Sequence, residues 1–218
     1  MENIKLSLAK QTDIKTNLML YNINNDKIIS MFLKSNMESF LPESLQSLAY
    51  SDSSICYYNN RYLMDIYTLG HIMLLSGTNL IGKALVIGCG NGFVANFLSS
   101  ICQEVIGVDE DEFLIEQARI ITKNLGKTNV HFSCQKLNNI ELENQFDLII
   151  VDGAVLKVVD NWLNLLSNKS ILISVVYQNG LKNIIKYQKN DNSILTTKGF
   201  HSSLPFLIGF NNINEFVF

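Results

Sequence analysis

Three glycines at alternate positions, Gly88, Gly90 and Gly92, form the most informative motif in the chain. The segment from residue 84 to residue 92 reads ALVIGCGNG, so a run of apolar residues leads directly into the first glycine. Glycine has no side chain, so it permits a tight turn and lets a ligand approach the main chain. An apolar strand that runs into such a turn and then into a helix is where α/β proteins bind nucleotide-like ligands.

An acidic residue follows at a matching distance. Asp109 ends the apolar run VIGV and lies 21 residues after Gly88 (109 − 88). A carboxylate at the end of the second strand can accept hydrogen bonds from both hydroxyls of a ribose. Asp109 to Asp111 also suit the start of a helix, so we expect Asp111 to cap that helix and Asp109 to bind ribose.

The spacing of the glycines distinguishes between two kinds of ligand. The dinucleotide fingerprint is G-x-G-x-x-G, and Phe93 stands here where that pattern has its third glycine. The spacing G-x-G-x-G is instead the usual one for S-adenosylmethionine (SAM). The segment Phe146–Asp152, read as the fourth strand of the sheet, strengthens the prediction of a nucleoside-type ligand.

Short apolar segments alternate with amphipathic ones around this motif. Strands are predicted at Ala84–Ile87, Val105–Val108, Val130–Cys134, Phe146–Val151 and Ile171–Val176, with helices between them at about 91–101, 111–125 and 157–167. Strands that are apolar throughout and alternate with helices indicate a parallel sheet covered on both faces. Two antiparallel strands are predicted in the tail, at Leu181–Gln188 and Glu215–Phe218.

The first 80 residues have a different character. Apolar residues recur at helical spacing between Leu18 and Met37, a short helix follows Pro42, and an apolar helix from Asp65 to Ser76 ends at Gly77. We therefore predict a helical N-terminal extension over 1–80, covering the active-site side, and a SAM-binding α/β domain over 81–218. The predicted fold is doubly wound and Rossmann-like, with a mostly parallel sheet of the seven-stranded type.

Composition excludes several classes of protein. The 218 residues are 47% hydrophobic and 17% charged, which suits a globular domain with its own core. No apolar run reaches the ~18–20 residues that span a bilayer, and the N-terminus does not read as a signal peptide. The net charge of −3 and only two arginines give no electrostatic footprint for nucleic acid. We expect a cytoplasmic protein without membrane or nucleic-acid partners.

The cysteines and histidines show no metal-binding pattern. The four cysteines contain no C-x-x-C pair, and the three histidines do not cluster with them. We expect buried, reduced thiols and no metal site. His71 is expected to be a core or interface residue, and Trp162 is expected to pack its helix against the sheet.

With these motifs in place, the chain resembles the SAM-dependent class I methyltransferases, and among them a divergent bacterial form of the protein-L-isoaspartate O-methyltransferase family. The resemblance covers nearly the whole chain, including the stretch from Phe40 to Asp52, the loop and helix of Arg61–Leu75, and the Phe-Val-Phe ending. It implies SAM as cofactor and a protein or peptide substrate whose carboxylate, isoaspartyl or related, accepts the methyl group. The cofactor-binding residues that it implies are Gly88, Cys89, Gly90, Asn91, Asp109, Glu110, Gln135 and Asp152, and no catalytic residue is assigned.

The chain also departs from the family pattern. The family's Gly-Gln-Thr-Ile-Ser-x-Pro loop corresponds to Asn60–Ile66, so that Tyr62 replaces the threonine and Met64 the serine. Val86 and Lys136 replace two acidic residues, and a lysine cannot accept a hydrogen bond from the adenine amine. These changes keep open a catalytically silent SAM-binding or partner-binding module. A nicotinamide-dependent dehydrogenase fits the fold but not the glycine spacing.

Two interpretations of Arg61 remain. It can pair with an acidic acceptor through its guanidinium group, or it can be an exposed surface arginine, which is the reading we favour. The charged run Asp109–Glu116 is expected to be a solvated start of a helix.

Overall fold

The computed structural model describes residues 8–77, 79–142, 145–191 and 193–211. The N-terminal part comprises α1 (Leu8–Leu20), α2 (Asp26–Lys34), two 3-10 turns (Met37–Phe40 and Glu43–Leu48), β1 (Ile55–Tyr58), β2 (Arg61–Leu63) and α3 (Ile66–Ser76). Side chains cap two of these helices. Asn25 accepts hydrogen bonds from the N–H groups at the start of α2, and Asp65 accepts the N–H of Thr68 at the start of α3.

The remaining elements alternate strands with helices before ending in a run of strands. They are β3 (Ile81–Ile87), α4 (Phe93–Leu98), β4 (Cys102–Asp109), α5 (Glu112–Asn124), β5 (Val130–Cys134), β6 (Phe146–Val155), α6 (Asp160–Asn164), β7 (Leu166–Gln178), β8 (Leu181–Asn190) and β9 (Ser193–His201). The five strands predicted around the glycine motif are all present, and so is the predicted antiparallel strand at Leu181–Gln188.

One sheet holds seven of the nine strands seen in the described part of the chain. Its order is β5-β4-β3-β6-β7-β8-β9, in which the first five strands run parallel and the last two are antiparallel. The central strand β3 lies between β4 and β6, so that Ile87 is level with Val108 on one side and Val151 on the other. The carboxyl ends of these three strands therefore meet at one edge, and the predicted α/β fold is confirmed.

Apolar side chains cover both faces of the sheet. On one face, Ile14 and Phe32 of the N-terminal helices belong to the same buried cluster as Val86 and Ile150 of the sheet. On the other face the fully buried Trp162 packs among strand residues, and its Nε1 donates a hydrogen bond to the carbonyl of Leu137 at 2.6 Å. The N-terminal helices therefore share a core with the sheet.

His71 is a core residue, as predicted. Its ring is buried and stacks on Phe200 with a centroid distance of 3.8 Å, while Tyr67 approaches its edge. Burial lowers the pKa of His71, which keeps the imidazole neutral. The residue lies in packing between α3 and β9, away from the glycine turn.

Several predicted element boundaries were wrong. The helices predicted at 91–101 and 157–167 are the short α4 and α6, and Leu166 already pairs with Phe146 in the sheet. Strand β9 was missed because nearly all of its residues are exposed, so its sequence lacks the apolar pattern of a buried strand. The strand predicted at Glu215–Phe218 and the Phe-Val-Phe ending lie outside the described residues.

The cysteines only partly match expectation. All four are free, and Cys89 and Cys102 are buried, but Cys56 and Cys134 are exposed, so the prediction of burial was wrong for those two. Among the described residues, no group of three or more histidine, cysteine or acidic side chains could hold a metal ion. In the same part of the chain, no helix is both long enough and apolar enough to cross a membrane.

The backbone at Gly92 supplies a stability prediction with a matched control. Gly92 has φ +87°, and an added Cβ would lie 2.7 Å from the Phe132 ring and 2.9 Å from the Ala118 Cβ. Gly180 has φ +82° but would meet nothing within 4 Å. Both alanine variants carry the ~1–2 kcal/mol cost of left-handed backbone, and Gly92→Ala adds ~1–3 kcal/mol of overpacking. Urea denaturation measures the difference, and equal losses for the two variants would contradict the packing at α4.

Candidate functional site

The glycine turn lies at the edge where the central strands end. Gly88, Gly90 and Gly92 have φ values of 72°, 51° and 87°, all in the left-handed region that favours glycine. The N–H groups of Gly88 and Cys89 donate to the carbonyl of Val108, at 2.8 and 3.1 Å. The turn is therefore fixed to the end of β4, beside the carboxylate of Asp109, which is the last residue of that strand.

The carboxylate of Asp109 is buried at this edge and hydrogen-bonded through both oxygens. Its Oδ2 accepts the N–H of Gly90 at 2.8 Å, and its Oδ1 accepts the N–H of Asp111 at 3.1 Å. Only 1% of the residue is exposed, so the prediction of a solvated segment was wrong for Asp109. Asp111 caps α5 as predicted, since its side chain accepts the N–H of Leu114 at 3.2 Å.

Arg61 is the third partner of this carboxylate. Its guanidinium Nη2 donates to Oδ2 of Asp109 and forms a buried ion pair with it, although the residues are 48 positions apart in the chain. The prediction of an exposed arginine was therefore wrong. The hairpin turn between β1 and β2 contains Asn59 and Asn60, both with positive φ, a conformation that asparagine tolerates better than most residues.

Tyr57, on the same hairpin, contacts the glycine turn directly. Its hydroxyl accepts the N–H of Asn91 at 3.1 Å, and a Cβ added at Gly90 would overlap it. Burial raises the pKa of Tyr57, so the phenol is neutral. The side chain of Asn91 donates to the carbonyl of Phe40 at 2.5 Å, so both the hairpin and the preceding 3-10 turn hold this residue.

A small cavity lies beside the ion pair. It is lined by residues that include Tyr57, Arg61, Tyr62, Gly88, Asp152 and Leu207, and its volume is about 20 Å³. That volume is enough for roughly one water molecule, whereas small-molecule sites usually measure ~300–1,000 Å³. The side chains of the hairpin and of Leu207 therefore fill most of the space in front of the glycine turn.

Asp152 is the one acidic residue among those that line this cavity. Its Oδ1 is buried and has no partner among the described residues. Burial raises the pKa of Asp152 to about 8, Arg61 counteracts this, and the nearby charge of Asp109 adds to it. At neutral pH the carboxyl group is therefore mostly protonated, and it can donate a hydrogen bond.

The other residues that the resemblance implied lie around the same edge. Cys89 is buried in the turn, and burial raises the pKa of its thiol well above the ordinary value. Glu110 accepts the N–H of Leu137 at 2.7 Å, and the N–H of Gln135 donates to the carbonyl of Asp109 at 3.0 Å. These contacts place Glu110 and Gln135 on the rim next to Asp109, where the loop after β5 begins.

The positions that depart from the family pattern have different surroundings. Met64 and Val86 are fully buried, whereas Lys136 is exposed on the rim. Met64 is therefore a core side chain and does not line the cavity. Tyr62 is half-buried and does line it.

The raised pKa of Asp152 predicts a pH-dependent stability. The folded protein keeps a proton that the unfolded chain releases between about pH 4 and pH 8, so this group lowers stability as pH rises through that window. Asp152→Asn should raise the free energy of unfolding at pH 8.5 by ~1–3 kcal/mol and change it little at pH 4.5. Thermal melts at both pH values measure this, with the exposed Asp13→Asn as control. An equal effect at both pH values would contradict the buried position of the carboxyl group.

The chain is similar to known methyltransferases over most of its length. The family model for protein-L-isoaspartate(D-aspartate) O-methyltransferase matches residues 9–204. A protein-L-isoaspartate O-methyltransferase from Helicobacter pylori strain G27 is 26% identical over 191 residues, covering 85% of this chain and 91% of its own. A second, from Geotalea uraniireducens, is 24% identical and covers 88% and 89% of the two chains.

Solved structures show the same fold. A protein-L-isoaspartate O-methyltransferase superposes with a TM-score of 0.77 at 20% identity, covering 90% of this chain and 65% of that one. A Plasmodium falciparum protein of that name, solved with S-adenosyl-L-homocysteine, has a TM-score of 0.73 at 15% identity, covering 90% and 97%. The resemblance inferred from the motifs is confirmed, and the dehydrogenase alternative is set aside. The chain belongs to the protein-L-isoaspartate(D-aspartate) O-methyltransferase family.

Proposed function

We propose that this protein transfers the methyl group of SAM to a carboxylate of a protein or peptide, of the isoaspartyl type. The observation that carries the proposal is the glycine turn with Asp109 at the end of the next strand, inside a chain that the family model matches over residues 9–204. The names of the relatives in Helicobacter pylori and Geotalea uraniireducens support the same acceptor.

The main chain of the site fits a nucleoside, whereas two side chains stand in front of it. The positive-φ glycines leave no Cβ over the turn, and Asp109 offers the carboxylate that a ribose requires. Asp152 adds a buried oxygen without a partner. Tyr57 and Arg61 already contact these groups. SAM therefore fits this site once the β1–β2 hairpin has moved away from it.

The glycine turn and Asp109 indicate which residues we propose to hold SAM. Gly90 would leave room for the ligand against the main chain, Asn91 would contribute its main-chain N–H group, and Asp109 would accept from the ribose hydroxyls. Together with the neighbours on the rim and in the turn, the proposed set is Gly88, Cys89, Gly90, Asn91, Asp109, Glu110, Gln135 and Asp152. We propose in addition that residues 1–80 cover the acceptor side and that residues 81–218 hold the cofactor.

Methyl transfer to a carboxylate requires mainly that the protein position the two reactants. When bound, SAM would supply an electrophilic methyl group to an in-line carboxylate oxygen and, as its methyl–sulfur bond breaks, would leave as S-adenosylhomocysteine. A carboxylate is already ionised at neutral pH, so the site needs to orient the acceptor and exclude water rather than supply a strong base. Tyr62 and the protonated Asp152 both line the cavity and can donate hydrogen bonds to an anionic acceptor. We place this activity in the cytoplasm and propose neither a membrane nor a nucleic-acid partner.

A binding and transfer experiment tests the proposal. Calorimetric titration should show that SAM and S-adenosylhomocysteine bind and that NAD does not. Labelled methyl should pass from SAM to an isoaspartyl peptide and not to the peptide of the same sequence with ordinary aspartate. Binding of SAM without transfer to either peptide would favour the silent module, and binding of NAD alone would contradict the proposal.

The burial of Met64 gives a second prediction about the acceptor loop. Met64→Ser should not improve methyl transfer, because its side chain lies in the core, and it should cost ~2–5 kcal/mol of stability. Tyr62→Phe should leave stability within ~0.5 kcal/mol and raise the KM for the peptide, because a half-buried hydroxyl on the cavity is lost. Higher activity in Met64→Ser would show that residue 64 faces the acceptor after all.

A further inference from the structure

We propose that Arg61 and Tyr57 set the affinity for SAM by competing with it for its own hydrogen-bond partners, so that the β1–β2 hairpin acts as a latch over the nucleoside site. In the closed position of the latch Arg61 pairs with Asp109, and SAM binds only after Arg61 leaves Asp109. This inference rests on the proposed function, because it takes the edge at Asp109 to be the SAM site.

The first observation is that three donors, one of them Arg61, already occupy the ribose acceptor. Asp109 binds the N–H groups of Gly90 and Asp111 and the guanidinium group of Arg61, and only 1% of it is exposed. The two N–H groups belong to the main chain of the glycine turn and of the segment after β4, and they need not move when a ligand binds. The guanidinium is the only one of the three partners on a separate hairpin, so its departure is what frees the carboxylate for two hydroxyls.

The second observation concerns the main chain of the turn. The N–H of Asn91 donates to the hydroxyl of Tyr57, and that hydroxyl fills the space next to Gly90 where a Cβ would lie. A glycine at that position leaves room for a ligand against the backbone. Here a side chain from the same hairpin takes that room, so Tyr57 and Arg61 block two parts of one site and must withdraw together.

The third observation identifies where Arg61 can go. Asp152 lines the same cavity as Arg61, and its Oδ1 is buried without a partner. Within the described part of the site, Asp109 and Asp152 are two carboxyl groups that share one guanidinium group. We assign Arg61 two positions, on Asp109 when the site is free and on Asp152 when the ribose takes its place.

The latch has a quantitative consequence for affinity. A ligand that binds only the open form has an apparent dissociation constant equal to its intrinsic one divided by the open fraction. If the latch is open in about one molecule in ten or fewer, removing it tightens binding roughly tenfold or more. The same change destabilises the free protein, since it leaves a buried carboxylate without its cation. Tighter binding together with lower stability is a combination that a merely structural arginine does not produce.

The test uses the full chain, S-adenosylhomocysteine as the probe, calorimetry for affinity and thermal melts for stability. Arg61→Ala should bind the probe at least ~10-fold more tightly than the wild type and melt at a lower temperature. The control is Arg119→Ala, which removes the only other arginine, an exposed one that pairs with Glu116 and donates to the carbonyl of Phe132. It should leave the affinity unchanged and lower the melting temperature less than Arg61→Ala does. Introducing Asp109→Ala into the Arg61→Ala protein should abolish the gain, because the ribose acceptor is then missing.

A second variant covers the case in which Arg61→Ala does not fold. Tyr57→Phe removes only the hydroxyl that accepts the Asn91 N–H and should tighten binding of the probe a few fold.

Asp152→Asn should weaken binding of the probe a few fold, and an unchanged affinity in this variant would overturn the second position of Arg61. Weaker or unchanged binding in both Arg61→Ala and Tyr57→Phe, with a wild type that binds, would overturn the latch and leave the proposed function intact. If no variant binds the probe, the latch and the proposed function both fail.

Discussion

A buried ion pair between Arg61 and Asp109 connects the β1–β2 hairpin to the sheet at the candidate site. Taking both charges out of water is costly, and the cost is offset only when the remaining hydrogen-bonding capacity is also used. The N–H groups of Gly90 and Asp111 supply those bonds to the carboxylate. Removing one partner of such a pair typically costs ~3–5 kcal/mol, so the position of the β1–β2 hairpin and the conformation of the glycine turn depend on each other.

The same groups explain why little space is left in front of the glycine turn. A glycine turn and an acidic strand end make a nucleoside site in this fold because main-chain N–H groups and a carboxylate converge there. Those groups do not remain unpaired in a buried environment without a cost. In this chain a guanidinium and a phenol from the hairpin satisfy them. Under the proposed function, the affinity for SAM is therefore a difference between two sets of hydrogen bonds. The loss of acidic residues at Val86 and Lys136 adds to the reasons for expecting modest affinity.

Much of the fold could be predicted because its signals are local. The apolar strands, the glycine turn, the end of β4 at Asp109 and the cap at Asp111 each depend on residues that are adjacent in sequence. The partner of Asp109 could not be predicted, since it lies 48 residues away on a hairpin whose packing depends on the finished fold. Asp109 at the end of the strand was the only sequence signal for this ion pair, and it does not indicate which cationic side chain pairs with it. Strand β9 was not predicted for a different reason, because an exposed edge strand lacks apolar patterning.

The most direct test of the central claim is to observe the guanidinium group of Arg61 itself. The chain contains only two arginines, so nitrogen-15 NMR of the side-chain Nε–H groups should give two signals, which Arg119→Lys assigns. In the free protein we expect the Arg61 signal to show slow hydrogen exchange, as a buried and paired guanidinium does. Saturation with S-adenosylhomocysteine should shift that signal and leave the signal of Arg119 in place. An Arg61 signal that is unchanged when the ligand is bound would contradict the displacement of Arg61 from Asp109.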